Sequence, residues 1–348
     1  MGPARGRLIW NQVADRTAPE PVSAQDLVAG WGVDGSAIVI NFSRWRSDAL
    51  AVSRAGIRLV PLPDLAFDEA VDHVLGYLRV LLEGDDTAER QRSLSDLLAW
   101  SWERIGRPVM EALGYVYRGP DAELPRVWWS PTNIFSLVPI HAAGYHAPAG
   151  VPGDSVIERV VSSYTPTLRV LSGAAPARET SPPRLLIAAV GGGLGLGEVD
   201  HLVKLFPEGR HTLLTGESAT TRGVPQALAD HDYVHFGCHG RQDFAQPSAG
   251  GLALHDGTLT VAELAAERRL PGKLAFLAAC EAAAGGLVNS DEAISLTAAL
   301  RFAGWRDVIG PLMPVPDSSA AAIARAVFTA VAAQASALLR RPPEPCTR

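Results

Sequence analysis

Cysteine is scarce in this sequence, with three residues among 348, too few for a disulfide framework and none in the paired spacing of a zinc site. Positive charge is not in excess either, because 31 basic residues face 37 acidic ones and the formal net charge is −6. That balance offers no basic surface to nucleic acid or to an anionic membrane. We therefore expect neither of them as a partner.

Long apolar runs are also lacking. The basic residues Arg5 and Arg7 are not followed by the apolar core of a signal peptide. The Ala-rich stretch 317–339 is interrupted by Arg325 and Gln334, which argues against a membrane span. These features lead us to expect a cytoplasmic protein with no membrane contact.

The composition that remains is typical of a globular protein. Apolar residues make up 47% of the chain and charged residues 20%, and 348 residues suffice for one large or two ordinary domains. Residues 147–183 are rich in Pro, Gly, Ser and Ala, and 172–183 in particular is typical of a linker. We therefore predict an N-terminal half, residues 1–175, and a C-terminal half, residues 184–340.

The N-terminal half begins with three short β-rich runs separated by turns, which predicts a meander. These runs are residues 37–42, 48–52 and 57–62. From Asp68 to about Met110 the apolar period changes to about 3.6, which predicts two helices that end at Gly106 and Pro108. An aromatic strand at 127–132 then leads to a turn and a helix start at 137–144.

The C-terminal half alternates strand-like and helix-like segments, which predicts βαβ units and a mostly parallel sheet. The predicted strands are 184–190, 211–216, 233–240, 274–281 and 306–312. The predicted helices are 198–206, 221–229, 291–303 and 317–339. Between the third and fourth strands the sequence predicts about forty residues of turns. Asp291 would cap the helix that begins there.

Seven residues at 191–197, rich in glycine, follow the first of these strands and suggest a dinucleotide site. No frame gives Gly-x-Gly-x-x-Gly, since the nearest places Leu196 where the last glycine belongs. The chain also has no phosphate loop with a lysine. We therefore predict no cofactor.

A histidine and a cysteine stand where two predicted parallel strands end. The run 233–240 delivers His239 to a loop, and the apolar run 274–281 ends at Cys280, 41 residues later. The carboxyl ends of parallel strands share one edge of a sheet, where sites form. A thiol becomes a good nucleophile when a neighbouring imidazole generates the thiolate. Cys238 would point to the opposite face, and His141 remains a second candidate base.

The sequence around these residues resembles that of a known family. The segments are His235-Phe236-Gly237-Cys238-His239-Gly240, Ala278-Ala279-Cys280-Glu281 and Asp291-Glu292-Ala293-Ile294-Ser295-Leu296. They are similar to the CHAT domain, a caspase-like branch of cysteine peptidases close to the separases. The segment 127–144 resembles the same family. Ala278, Ala282 and Met313 depart from its pattern, which has two hydroxyl residues and a tryptophan there, and we expect the family's last strand to be lacking.

The resemblance implies an α/β fold, a caspase-like sandwich with a mostly parallel central sheet flanked by helices. The N-terminal half would be a β-hairpin and helical pseudo-caspase-like half. His239 and Cys280 would form the catalytic dyad of a cysteine endopeptidase acting on protein or peptide substrates. The amides of Gly240 and Cys280 would bind the oxyanion, and a regulatory partner protein is expected.

Three acidic residues follow the second strand end, and they are Glu281, Asp291 and Glu292. In a partly desolvated pocket a carboxylate favours a basic substrate side chain over an acidic one. The alternative is that Asp291 only caps its helix and Glu281 only faces solvent. A competing function also stays open, namely a catalytically silent interaction module that binds a peptide or partner protein without cutting it.

Overall fold

The structure is a computed structural model, and it describes residues 23–83, 87–146, 150–168, 171, 183–190, 196–241, 246–267, 270, 272–278, 295–313 and 315–339. The chain divides into two compact units, whose described residues are 23–171 and 183–339. Both are mixed α/β, with sheets flanked by helices, as the sequence predicts. Cys280, Glu281, Asp291 and Glu292 lie outside the described residues.

The N-terminal unit is built on a five-stranded sheet. Its strands are β1 (Ser36–Phe42), β2 (Ser47–Ser53), β3 (Gly56–Pro61), β4 (Arg126–Pro131) and β5 (Val161–Tyr164). Their order is β3-β2-β1-β4-β5. The first three pair antiparallel, which confirms the predicted meander, while β4 and β5 add in parallel. The sheet is mixed because β4 returns beside β1 after a helical crossover.

Helices supply that crossover, and one prediction about them is wrong. After α1 (Ala24–Ala29) come α2 (Phe67–Glu83) and α3 (Thr87–Ser101), and the helical path then continues through a π-helical segment (Trp102–Gly106) into α4 (Arg107–Leu113).

Gly106 and Pro108 therefore do not end the helix. Pro108 lies in the first turn of α4, where an amide hydrogen is not needed for the helical ladder. At Gly106 a Cβ would lie 2.6 Å from the Trp102 ring, so the glycine serves close packing. Gly114, at φ 75°, is the residue that ends the helix.

The predicted helix start after β4 is also absent. Two short 3-10 segments take its place, Asn133–Leu137 and Ile140–Ala142. Ala143, which follows the second of them, has φ −56° and ψ 126° and so leaves the helical region. The segment is a series of turns that packs Ile134, Phe135 and Ile140 into the interior.

The C-terminal unit is organised around a parallel five-stranded sheet. Its strands are β6 (Leu185–Ala189), β7 (His211–Thr215), β8 (Tyr233–Gly237), β12 (Leu274–Leu277) and β13 (Asp307–Ile309), in the order β13-β12-β8-β6-β7. Every pairing is parallel. β8 is the central strand, and all five strands end at the same edge of the sheet.

Helices cover both faces of this sheet, which explains why its central strands are mostly apolar. They are α5 (Leu196–Leu205), α6 (Gly223–Leu228), α7 (Val261–Ala266), α8 (Leu296–Ala303) and α9 (Asp317–Leu339). α5 and α9 pack together on one face with a core that includes Leu202, Phe276 and Phe328. α6, α7 and α8 cover the other face, where Phe236 and Leu264 are buried.

The connection between β8 and β12 contains more than the turns predicted from sequence. A three-stranded antiparallel sheet forms from β9 (Gly240–Arg241), β10 (Gly251–Leu254) and β11 (Gly257–Thr260), followed by α7. Thr260 begins α7 with a capping box to Glu263. These strands are too short, and too rich in small residues, to show a clear alternating pattern.

The helix after β12 begins later than predicted. Its first residue is Leu296, and its N-cap is Ser295, whose hydroxyl accepts a hydrogen bond from the Ala298 amide at 3.2 Å. Asp291 is therefore not the cap of this helix, because a serine nearer its first turn already satisfies the free amide. Of the helices in the described ranges, none is both long enough and apolar enough to cross a membrane.

Candidate functional site

His239 lies just beyond the carboxyl end of the central strand β8, and it is exposed. Its position is fixed through the backbone, since the Ala253 amide of β10 donates to the His239 carbonyl at 2.9 Å. Just before it, the Val190 amide donates to the Gly237 carbonyl at 3.0 Å, and the Ala278 amide donates to the Phe236 carbonyl at 2.9 Å. The imidazole is thus presented to solvent from a backbone held on both sides.

β12 ends beside β8 at the same edge. The two strands pair in parallel, with Leu274 level with Tyr233, 41 residues earlier, and Leu277 level with Phe236 at the same offset. Cys280 follows His239 by the same 41 residues. The described part of this segment ends at Ala278, two residues before the cysteine. The structure therefore describes His239 and the strand that leads to Cys280, but it does not describe the contact between the two.

Cys238 has the opposite environment to His239. Its side chain is fully buried in the apolar core on the α6, α7 and α8 face, in the same cluster as Phe236 and Leu252. Burial raises the pKa of the Cys238 thiol to about 12, because a thiolate is poorly solvated there. A thiol that is buried and protonated at neutral pH is a poor nucleophile. This environment is in keeping with the prediction that Cys238 points to the opposite face from His239.

Gly240 is the first residue of the small sheet that follows His239. It opposes Leu252 in the antiparallel register of β9 and β10. Gly251, its diagonal neighbour, cannot be replaced by a larger residue without displacement, since a Cβ there would lie 2.2 Å from the Leu259 carbonyl oxygen. The close packing of these glycine-containing strands sets where the chain leaves His239.

His141, the second candidate base, lies in the N-terminal unit and is hydrogen-bonded. The Tyr164 hydroxyl is 2.9 Å from His141 Nδ1 and also accepts from the His141 amide at 3.1 Å. The Tyr164 ring meets the imidazole edge-on. Burial lowers the pKa of His141, which favours the neutral ring. This environment is that of a packed, hydrogen-bonded histidine.

The sequence did not predict a buried polar pair, Glu198 and His235, which lies on the face of β8 opposite Cys238. His235 Nε2 is 3.1 Å from Glu198 Oε1, and both side chains are almost fully inaccessible to solvent. Burial opposes the ionised form of Glu198, but its hydrogen bond to His235 and the charges of His235 and Arg325 outweigh this and lower its pKa. The available signal was a histidine inside an otherwise apolar strand, opposite a helix with an acidic residue in its first turn.

Among the residues that the structure describes, no group of three or more His, Cys, Asp or Glu side chains could hold a metal ion. A family model described as the CHAT domain matches residues 95–341. The curated proteins contain no significant match to the chain.

Proposed function

Because this chain belongs to the CHAT domain family, we propose that it is a cysteine endopeptidase with Cys280 as nucleophile and His239 as general base. The family is caspase-like, which makes peptidase chemistry possible for this chain. The observation that carries the proposal is the exposed His239 at the carboxyl end of the central strand, beside the strand that leads to Cys280. Their separation in sequence equals the offset between the two strands.

In the proposed reaction His239 takes the proton of the Cys280 thiol, and the thiolate sulfur attacks the scissile carbonyl carbon. A carbon–sulfur bond forms while the carbonyl oxygen gains charge, which the amides of Gly240 and Cys280 would stabilise. The carbon–nitrogen bond then breaks, and His239 delivers its proton to the leaving amine. Water, deprotonated by His239, hydrolyses the thioester and restores the thiol.

Cys238 and Cys280 differ in a way that supports this assignment. The buried Cys238 has a pKa raised to about 12 and adjoins His239 in the sequence, but it belongs to the apolar core. Cys280 follows β12, which ends at the same edge of the sheet as β8. A nucleophile at that edge can reach an extended substrate, whereas a core thiol cannot.

The proposal is tested by measuring the cleavage of a mixed peptide library by wild type, Cys280→Ala, His239→Ala and Cys238→Ala. We expect the first two substitutions to lower turnover by at least ~1,000-fold, since loss of either member of a nucleophile–base pair removes most of its rate enhancement. Cys238→Ala is the matched control, a thiol removed next to His239, and it should retain wild-type turnover in the folded protein.

Wild-type turnover in folded Cys280→Ala would contradict the assignment of the nucleophile. Absence of all cleavage by the wild type, with retained peptide binding, would instead support the catalytically silent interaction module.

A further inference from the structure

The buried pair Glu198–His235 takes no part in the proposed bond-making steps, but it lies in the core of the same unit. His235 is on β8, and Glu198 is in the first turn of α5. A buried pair of ionisable groups costs desolvation that its own attraction often fails to recover, so a stable core does not by itself call for one. Its presence in an apolar core needs another physical reason.

His235 joins four elements of the C-terminal unit. Beyond Glu198 on α5, its ring lies 5.6 Å from the Phe276 ring of β12 and meets the Phe328 ring of α9 edge-on at 5.8 Å. Nδ1 of His235 has no hydrogen-bond partner among the described residues, so Glu198 holds the ring through Nε2 alone. The ring orientation is thus set by one polar contact and two aromatic ones.

The contact between His235 and Phe276 is part of the register of β8 and β12. His235 and Phe276 are opposite each other in the parallel pairing. They precede His239 and Cys280 by four residues each. Whatever fixes His235 against Phe276 therefore also fixes how far each strand extends toward the edge where the proposed dyad lies.

A shift of β8 by one residue would destabilise the fold, because it would separate Glu198 from His235. The neighbours Val234 and Phe236 face the opposite core, and a shift would bring one of them toward Glu198. The buried carboxylate would then lose its hydrogen-bond partner, which is strongly destabilising, whereas apolar side chains would tolerate the exchange far better. The polar pair is thus compatible with one register of β8, whereas apolar packing alone would also be compatible with shifted registers.

We infer that Glu198 and His235 form a positioning pair that fixes the register of β8 against β12, and with it the place of the His239 imidazole at the sheet edge. The part that concerns Cys280 rests on the proposed function. The part that concerns His239 rests on the described contacts alone.

The test separates positioning from stability. In the double variant Glu198→Leu with His235→Phe, apolar side chains of similar size replace the polar pair, a change that commonly preserves stability. The His239 ring is followed by NMR in protein with isotope-labelled histidine, assigned by loss of signal in His239→Gln. Asp232→Asn is the matched control, because Asp232 is a buried acid at the amino end of β8, where it pairs with Lys273 at 3.4 Å.

We expect the double variant to keep or raise Tm while its His239 signals shift or split. Turnover should fall by ~10- to 100-fold with KM changed less than ~3-fold, the pattern of a displaced catalytic group. The single variant Glu198→Gln, which keeps a hydrogen bond to Nε2 of His235, should show the same His239 signals as the wild type. Asp232→Asn should lower Tm and leave the His239 signals unchanged.

Wild-type His239 signals in the folded double variant would overturn the inference. Should that variant fail to fold, Glu198→Asp decides in its place, since it withdraws the carboxylate by one methylene: shifted His239 signals support the pair, and wild-type signals refute it. The signals need no substrate. Shifted signals in a protein that cleaves nothing would support the pair while refuting the peptidase, and unchanged signals in an active enzyme would refute the pair alone.

Discussion

Two adjacent residues, Cys238 and His239, show how sharply environment changes at the end of β8. The thiol is buried in the apolar core with a raised pKa, while the imidazole is exposed and held through its backbone carbonyl. Strand alternation predicts that neighbours face opposite sides of the sheet, and the burial of Cys238 in the α6, α7 and α8 core is consistent with it. Alternation does not predict that His235 forms a hydrogen-bonded pair with Glu198, which lies 37 positions earlier in α5.

The first residue-scale prediction concerns Asp291 and substrate choice. Since Ser295 caps α8, capping no longer accounts for Asp291, which strengthens our proposal that its carboxylate faces the substrate with Glu281 and Glu292. We expect positional peptide libraries to show cleavage after basic or neutral residues in preference to acidic ones. Asp291→Asn should weaken the basic preference while leaving neutral substrates unaffected.

A clear preference for aspartate before the scissile bond would refute this specificity. An unchanged profile in Asp291→Asn would remove that residue from the pocket, and Asp317→Asn, a change of the same type in the first turn of α9, serves as control.

The second residue-scale prediction concerns Glu198 and acid stability. Its pKa is lowered in the folded protein from the ordinary 4.5, through its hydrogen bond to His235 and the charges of His235 and Arg325, against the opposing effect of burial. A lowered folded-state pKa gives stability that is fully present above the unfolded value and lost as pH falls through the folded value. Below about pH 4.5, wild type should therefore lose free energy of unfolding more steeply than Glu198→Gln.

Denaturant unfolding of both proteins from about pH 7 to about pH 3 measures this difference. Parallel curves across the acid range would show that the ionised form of Glu198 contributes nothing to stability.

At the scale of elements, the sequence predicts nine of the ten strands in the two five-stranded sheets, because each is a short apolar or alternating run bounded by turns. It misses β5 (Val161–Tyr164), which lies in the Pro-, Gly-, Ser- and Ala-rich stretch 147–183. The helix boundaries were less predictable. Gly106 and Pro108 look like stop signals, but a π-helical segment precedes α4, so Pro108 lies in a first turn and Gly106 packs against Trp102. That outcome depends on tertiary packing, which no local pattern of residues contains.

The cap of α8 gives the prediction at this scale. Removing the Ser295 hydroxyl in Ser295→Ala leaves the buried Ala298 amide without its acceptor, which should cost about 1 kcal/mol of unfolding free energy. Ser95→Ala is the control, because the Ser95 hydroxyl is exposed and bonds only its own helix at the Gln91 carbonyl. Thermal or denaturant unfolding compares the two, and equal losses would mean that the cap is not what stabilises α8.

At the scale of the whole molecule, the alternation of strands and helices predicts a parallel sheet, and the sheet topology confirms it. The order of strands was not predictable from sequence, yet it decides the site, because β8 and β12 become neighbours and their ends share an edge. The small sheet of β9, β10 and β11 was missed, although it holds the His239 carbonyl. Membership of the CHAT family covers both units from residue 95 onward.

The proposed peptidase activity depends on Cys280, activated by His239, as the nucleophile of this chain. The most direct measurement treats the folded protein with a library of peptides that carry a thiol-directed warhead and maps the adducts by mass spectrometry. Cys346→Ser is used as background, which leaves Cys238 and Cys280 as the two remaining thiols. We predict a rapid adduct on Cys280 alone, absent in Cys280→Ala and much slower in His239→Ala. Labelling of Cys238 before Cys280, or equally fast labelling of Cys280 without His239, would contradict the claim.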